Sequence, residues 1–173
     1  MKRAACPSMN SVSPYITAEW HGSCRFMVLH SSLALAGVTS TLAPFAGTTK
    51  EYYDLLVSAS RILHQASPEN RVLISGFGAG DPCDQQMPED LLKMGVADHI
   101  DAWNLHAYSV MTQAKRHKQL VHAVKPGMPL WQTEQMWHTI ADPAMQARLT
   151  AAIQFWFIEE GFEKYFSFGE DFF

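Results

Sequence analysis

After Thr48 the sequence alternates regularly between helical and strand signals, and this alternation constrains the fold more than any other feature. Four capped or amphipathic helical segments are each followed by a short apolar segment, at about 25 to 35 residues per unit. Such alternation predicts parallel strands joined by right-handed helical crossovers. We therefore expect an α/β domain over residues 48–173, preceded by a poorly defined N-terminal segment, residues 1–47.

The first helix has the clearest boundaries. Thr48 and Glu51 match a capping box, and apolar residues follow at helical spacing as far as Ala66. Ser67-Pro68 predicts its end, because a residue that precedes proline avoids the α region.

Three more helices and four strands complete the predicted pattern. A short helix is expected to begin at Pro88 and to be closed by Gly95. The other helices are predicted over about 113–124 and from Asp142-Pro143 to Glu160-Gly161, and the strands at 71–75, 100–108, 129–134 and 165–168.

Two architectures agree with this order: a doubly wound sheet and part of a (β/α)8 TIM barrel. A doubly wound nucleotide-binding domain would use the glycines of loop 76–80. The spacing there is G-x-G-x-G and Asp81-Pro82 follows, whereas the dinucleotide fingerprint is G-x-G-x-x-G leading directly into a helix. The nucleotide-binding hypothesis is therefore the weaker one.

The strand predicted at 100–108 has one polar face, which carries Asn104, His106 and Tyr108. Its other face suits packing under helices and carries Trp103, Leu105 and Ala107. Parallel strands of doubly wound sheets are apolar on both faces, so a polar face favours the interior of a barrel that opens onto a site.

The strand predicted at 129–134 ends on a carboxylate. Alternation places Gln132 and Glu134 on one face and Thr133 on the other. If the two strands are neighbours, His106, Tyr108 and Glu134 meet at one mouth of the sheet.

Composition excludes several function classes. The chain of 173 residues has 47% hydrophobic and 17% charged residues, and its net charge of -4 argues against a nucleic-acid binder. No apolar stretch reaches the ~18 residues of a membrane span. The cysteines are scattered and no H-E-x-x-H motif occurs, so we predict neither a metal site nor a cofactor. The cellular location stays open.

The segments 101–108 and 129–134 resemble the sixth and seventh strands of clan A glycoside hydrolases. These are retaining (β/α)8 enzymes that include xylosidase- and iduronidase-type families. The helix that contains residues 51–56 resembles the one after their fourth strand. The resemblance runs from Thr48 to Phe168, and it implies a partial (β/α)8 barrel made of about four C-terminal β/α units.

This resemblance implies that Glu134 is the nucleophile that forms a glycosyl-enzyme intermediate. Tyr108 would hold that carboxylate in place, and His106 and Asn104 would be further polar groups of the sugar site. Trp137 would offer a flat face to a sugar ring. Each of the five also has a purely structural interpretation: a solvated glutamate, a satisfied interior histidine, or packing residues.

The second carboxylate of a retaining hydrolase has no counterpart in this sequence. In clan A it is the Glu of an Asn-Glu pair that ends the fourth strand, and this dipeptide is absent here. Glu19, the one carboxylate before Thr48, has an unsuitable context. The chain is also shorter than the ~200 residues of a closed barrel.

We therefore expect a hydrolase, or an inactive remnant of one, that acts on carbohydrate. It would be completed by an N-terminal half-barrel or by self-association. The alternative hypothesis is a non-catalytic carbohydrate-binding or interaction protein, which needs no acid/base residue.

Overall fold

A computed structural model describes residues 17–21, 24–28, 48–77, 82–107, 111–134 and 142–167, with side chains described from Thr48 onward except at 82–85. The elements are β1 (Thr17–His21), β2 (Cys24–Val28), α1 (Thr49–Ala66), β3 (Arg71–Leu73), α2 (Pro82–Lys93), β4 (Trp103–Leu105), α3 (Met111–Val124), β5 (Leu130–Gln132), α4 (Pro143–Glu159) and β6 (Lys164–Tyr165).

The predicted mixed α/β fold with parallel strands is confirmed. Strands β1 and β2 form an antiparallel hairpin, and β2 pairs with β3 in parallel. Strands β4, β5 and β6 form a parallel sheet of three. Two parallel bridges, Leu73 to Ala102 and Phe77 to Leu105, join β3 to β4. The strands therefore lie side by side in chain order.

Helix α1 begins and ends as its sequence predicts. The Thr48 hydroxyl accepts the N–H of Glu51, and the Glu51 carboxylate accepts the N–H of Thr48 at 2.7 Å. The Thr48 N–H and the Thr48 hydroxyl both donate to the Glu51 carboxylate, and these two bonds hold the pKa of that carboxyl below its usual value. Ser67 is extended at the other end, as a residue before proline should be.

Helix α2 begins earlier than predicted. It starts at Pro82, and Pro88 lies inside it rather than at its first position. Either proline suits the first turn of a helix. The N–H groups of that turn have no acceptor within the helix, and proline has no N–H to leave unbonded. Gly95 has a φ of 84°, the left-handed conformation expected of a glycine that follows a helix.

All four helices pack on one face of the strands. Buried residues from each helix and from the covered strand face form one hydrophobic cluster, which includes Tyr52, Leu56, Leu91, Ala114, Val121, Ile153, Phe157, Val72, Trp103, Leu105 and Leu130. The opposite face carries a smaller cluster to which no described helix contributes: Leu73, Ala102 and Trp131, with Phe166.

Two of the buried polar residues belong to strands. Asn104 of β4 and Gln132 of β5 are each 0% exposed. Both lie toward the C-terminal ends of their strands, where the candidate site is found. No helix in the described ranges is long and apolar enough to cross a membrane.

Candidate active site at the ends of β4 and β5

The parallel pairing of β4 and β5 brings the ends of these two strands together. Leu105 pairs with Gln132, so the residues that follow each strand leave the sheet side by side. The amide of Thr133 continues the ladder by donating to the Leu105 carbonyl at 3.3 Å. This register places His106 and Glu134 at the same edge.

The side chains of His106 and Glu134 contact each other at this edge. Nδ1 of His106 lies 3.2 Å from Oε2 of Glu134. The imidazole is 12% exposed and the carboxylate side chain 32%, so solvent reaches the acid more than its partner. A carboxylate held by a shielded imidazole is both fixed in position and accessible to a ligand.

Thr133 lies on the face of His106, together with Trp131, so the alternation predicted for this strand holds, but the face that lines the site is that of Thr133 and not that of Gln132. Its hydroxyl contacts Nε2 of His106 at 3.0 Å and Oδ1 of Asn104 at 2.8 Å. Strand β5 ends at Gln132, so strict alternation stops there and Glu134 is free to turn toward His106. A two-residue periodicity applies only within a strand.

The contacts run from Asn104 through Thr133 and His106 to Glu134, and the Thr133 hydroxyl determines which group donates in each. Thr133 donates its single hydrogen to Oδ1 of Asn104, so its oxygen must accept from His106. Nε2 of His106 therefore carries a hydrogen. The 3.2 Å contact between Nδ1 and Glu134 then holds one more proton, on the imidazole or on the acid.

Asn104 can reverse this direction. Its Nδ2 is buried and has no hydrogen-bond partner among the described residues. A half-turn of the amide would make Nδ2 a donor to Thr133, whose hydroxyl would then donate to His106. Neutral His106 would in that case donate from Nδ1 to an ionised Glu134, which is the form that a nucleophile needs.

Gln132 fixes the backbone that carries the acid. Its Oε1 accepts the N–H of Ala107 at 3.1 Å, and its Nε2 donates to the carbonyl of Glu134 at 2.7 Å. Because both ends of the amide are engaged, the chain after β4 is tied to the chain after β5. Buried amides of this kind hold a site rigid.

Gly76 makes room for the imidazole. A Cβ atom at this position would overlap the Nε2, Cδ2 and Cε1 atoms of His106. The backbone after β3 therefore forms the floor on which the His106 ring rests, and no other residue type fits there without moving the ring.

Sequence reasoning missed Gly76, Thr133 and the clamp made by Gln132. Gly76 had a signal, since it opens the glycine-rich loop after β3, but that loop was considered only as a nucleotide site. Thr133 lies opposite Gln132 as alternation predicts, but nothing local identifies the face of Thr133 as the one that lines the site. The role of Thr133 depends on the register between β4 and β5, which is not readable from either strand alone.

The predicted site residues are distributed as follows. Thr133 joins Asn104 to His106, and His106 contacts Glu134; Asn104 reaches the site from a fully buried position. Tyr108 and Trp137 lie outside the described residues, and their predicted roles stay predictions.

Strand β2, the strand that precedes α1, contains no carboxylate. β2 is parallel to β3 and precedes α1, and it ends at Val28, after which the sequence reads Leu29-His30. Glu19 belongs to β1, where it pairs with Phe26. Among residues 48–77, 86–107, 111–134 and 142–167, whose side chains the structure describes, no cluster of three potential metal ligands occurs.

A Ser-His-Asp arrangement lies at the other end of the strands. His64 contacts Ser60 Oγ through Nδ1 at 3.3 Å and Asp101 through Nε2 at 2.9 Å. Ser60 is 4% exposed, so no substrate reaches its oxygen, and Asp101 also accepts the N–H of Val72 at 2.7 Å. This arrangement ties α1 to the start of β3, and we assign it a structural role.

Comparisons of the chain with protein-family models, with curated proteins and with solved structures found no match.

Proposed function

We propose that this chain carries the nucleophile half of a retaining glycoside hydrolase site, with Glu134 as the nucleophile. The observation that supports the proposal best is the 3.2 Å pair of Glu134 and His106 beyond the C-terminal ends of two adjacent parallel strands. Active sites of (β/α)8 enzymes occupy this end of the strands.

The arrangement of the helices supports a partial (β/α)8 barrel of about four C-terminal units. Helices α1 to α4 all contribute to one cluster on one face of strands that follow in chain order. In a barrel every crossover helix lies outside the strands, whereas a doubly wound sheet has helices on both faces. The polar face with Asn104 and His106 would then line the interior.

The chemistry expected of Glu134 is the first of the two displacements of a retaining mechanism, the one that forms the glycosyl-enzyme bond. One carboxylate oxygen attacks the anomeric carbon, the bond to the leaving oxygen breaks, and that oxygen departs with the electron pair. Without an acid to protonate it, the leaving group must be stable as an anion. We therefore expect reaction with dinitrophenyl glycosides or glycosyl fluorides and not with simple alkyl glycosides.

Trapping the intermediate tests this proposal. The chain is incubated with a panel of 2-deoxy-2-fluoroglycosyl fluorides and dinitrophenyl 2-deoxy-2-fluoroglycosides, and its peptides are analysed by mass spectrometry. We expect one glycosyl adduct on Glu134 and none in Glu134→Gln, which keeps the size of the side chain. Absence of an adduct across pentosyl and hexosyl reagents would reject the nucleophile assignment.

A non-catalytic carbohydrate-binding protein is the second candidate. The absence of any Asn-Glu dipeptide favours it, because binding requires no acid/base residue. A glycan array decides between the two candidates. Binding that persists in Glu134→Ala, together with failure of the trapping experiment, identifies a binding protein built on the same strands.

A further inference from the structure

Helix α4 presents an apolar stripe to solvent. The stripe consists of Ala144, Ala147, Ala151, Phe155 and Ile158, which recur at spacings of three and four residues and are all exposed. Phe155 is 68% exposed and Ile158 is 58% exposed. The core-facing residues, Ile153 and Phe157, point to the opposite side of the helix.

The other long helices do not share this feature. The exposed face of α1 carries Lys50, Asp54, Ser58 and Arg61, and that of α3 carries Lys115 and Gln119. Neighbouring helices of a βα layer contact each other along their flanks, so the outward face of α4 is not explained by packing within the layer. Exposed apolar stripes of this kind mark interaction surfaces.

We propose that the α4 stripe is the contact surface of a symmetric homodimer in which two α4 helices pack antiparallel. The stripe is graded in size, with small residues in its N-terminal half and large residues in its C-terminal half. An antiparallel pair therefore sets large side chains against small ones along the whole contact. This self-complementarity is what a two-fold interface requires.

Charge complementarity supports the same arrangement. Arg148 and Glu159 lie on the same flank of the stripe, and neither forms an ion pair within the described ranges. Glu160 differs, since it pairs with Lys115 and Lys118 of α3. In an antiparallel pair, residues on the same flank face each other, so Arg148 of each copy faces Glu159 of the other.

In this register the apolar side chains of the two α4 stripes also pack against each other. With Arg148 opposite Glu159 of the second copy, Phe155 lies against Ala151 and Ala152 of that copy. Ile158 fits between its Ala147 and Ala151. A single helix pair buries less than the about 1,600 Å² of a standard interface, so we expect association in the micromolar range. The proposal is independent of the chemistry at Glu134.

Sedimentation equilibrium over about 1–200 µM tests the proposal. We expect a monomer–dimer equilibrium for the native chain and a dissociation constant at least about 100-fold weaker for Phe155→Glu, which would bury an unpaired charge. Ile62→Glu is the matched control, because Ile62 on α1 is 61% exposed and lies outside the stripe. That variant should dimerise like the native chain.

A charge exchange tests the register. Arg148→Glu and Glu159→Arg should each weaken the dimer, by about tenfold, because each sets like charges opposite each other. The double variant should regain the native dissociation constant. Circular dichroism verifies that each variant keeps its helices.

Three outcomes overturn the proposal. The first is a chain that stays monomeric at 200 µM, and the second is a dimer that Phe155→Glu leaves unchanged. The third is a monomer that co-sediments with phosphatidylcholine–phosphatidylglycerol vesicles, since a lipid surface would then be what covers the stripe.

Discussion

His117 makes the stability of the core depend on pH. Burial, with a smaller effect of Arg116, lowers the pKa of His117 from 6.5 to about 4. Its Nδ1 accepts the indole N–H of Trp103 at 3.3 Å, so a proton on Nδ1 would face another donor. Folded His117 therefore stays neutral at pH values where the unfolded chain is protonated.

The sign and range of this effect follow from the two pKa values. Between pH 6.5 and 4 the unfolded state binds the proton that the folded state excludes, so the free energy of unfolding falls as pH falls. The loss amounts to about 3 kcal/mol at pH 4. Urea titrations of the native chain and of His117→Gln measure it. The Gln variant should lack this part of the pH dependence; equal slopes would show that His117 is not responsible.

Gly76 and His106 should be coupled in a double-mutant cycle. Gly76→Ala places a methyl group where the His106 ring lies, so we expect about 1–3 kcal/mol of destabilisation and slower trapping at Glu134. In a His106→Ala background the same change should cost little stability. Chemical denaturation of the four proteins gives the coupling energy. Equal costs in both backgrounds would mean that the ring does not rest on Gly76.

At the scale of elements, Gln132 joins the ends of β4 and β5. Gln132→Met removes the hydrogen bonds with the Ala107 amide and the Glu134 carbonyl in a buried position, so we expect a loss of about 2–3 kcal/mol, measured by chemical denaturation. Gln132→Glu keeps an acceptor for Ala107 but sets a carboxylate against a carbonyl. That variant should recover stability at acidic pH, whereas Gln132→Met should not.

Elements with caps were predictable from local sequence. The Thr48–Glu51 box and Asp142, which accepts the N–H of Ala144 at 2.9 Å, begin α1 and α4 as expected. Both depend on residues two or three positions apart. The start of α2 was missed because Pro82 and Pro88 satisfy the same local rule, and the sequence does not rank them.

The candidate site was only partly predictable, for a different physical reason. A carboxylate after one strand and a histidine after its neighbour follow from the strand order, whereas strict alternation would have turned Glu134 to the face of Gln132 and away from His106. The contacts of Thr133 with Asn104 and His106, and that of Gly76 with His106, join residues about 30 positions apart. They depend on register and on the rotation of side chains, which no local pattern specifies.

At the scale of the whole molecule, the strands differ in how completely they are enclosed. β4 has β5 on one side and bridges to β3 on the other, while β6 pairs with β5 alone within the described residues. Trp103 and Leu105 are at most 1% exposed, whereas Lys164 and Tyr165 of β6 are half-buried. Enclosure on both edges and both faces should make the centre of the sheet the last part to open.

Hydrogen exchange followed by mass spectrometry measures this order. We expect peptides that cover β4 and β5 to exchange at the rate of global unfolding, and peptides that cover β6 to exchange much faster through local opening. Adding denaturant should speed the exchange of the β4 and β5 peptides to the same extent, because both exchange through global unfolding and therefore respond to the full surface that unfolding exposes. The β6 peptide should show little response.

Equal protection of β6 and β4 would mean that β6 is covered on its second edge, by another part of this chain or by a second copy. Repeating the measurement at about 1 µM and about 200 µM protein separates these two cases, because protection supplied by a second copy depends on concentration and protection supplied within one chain does not.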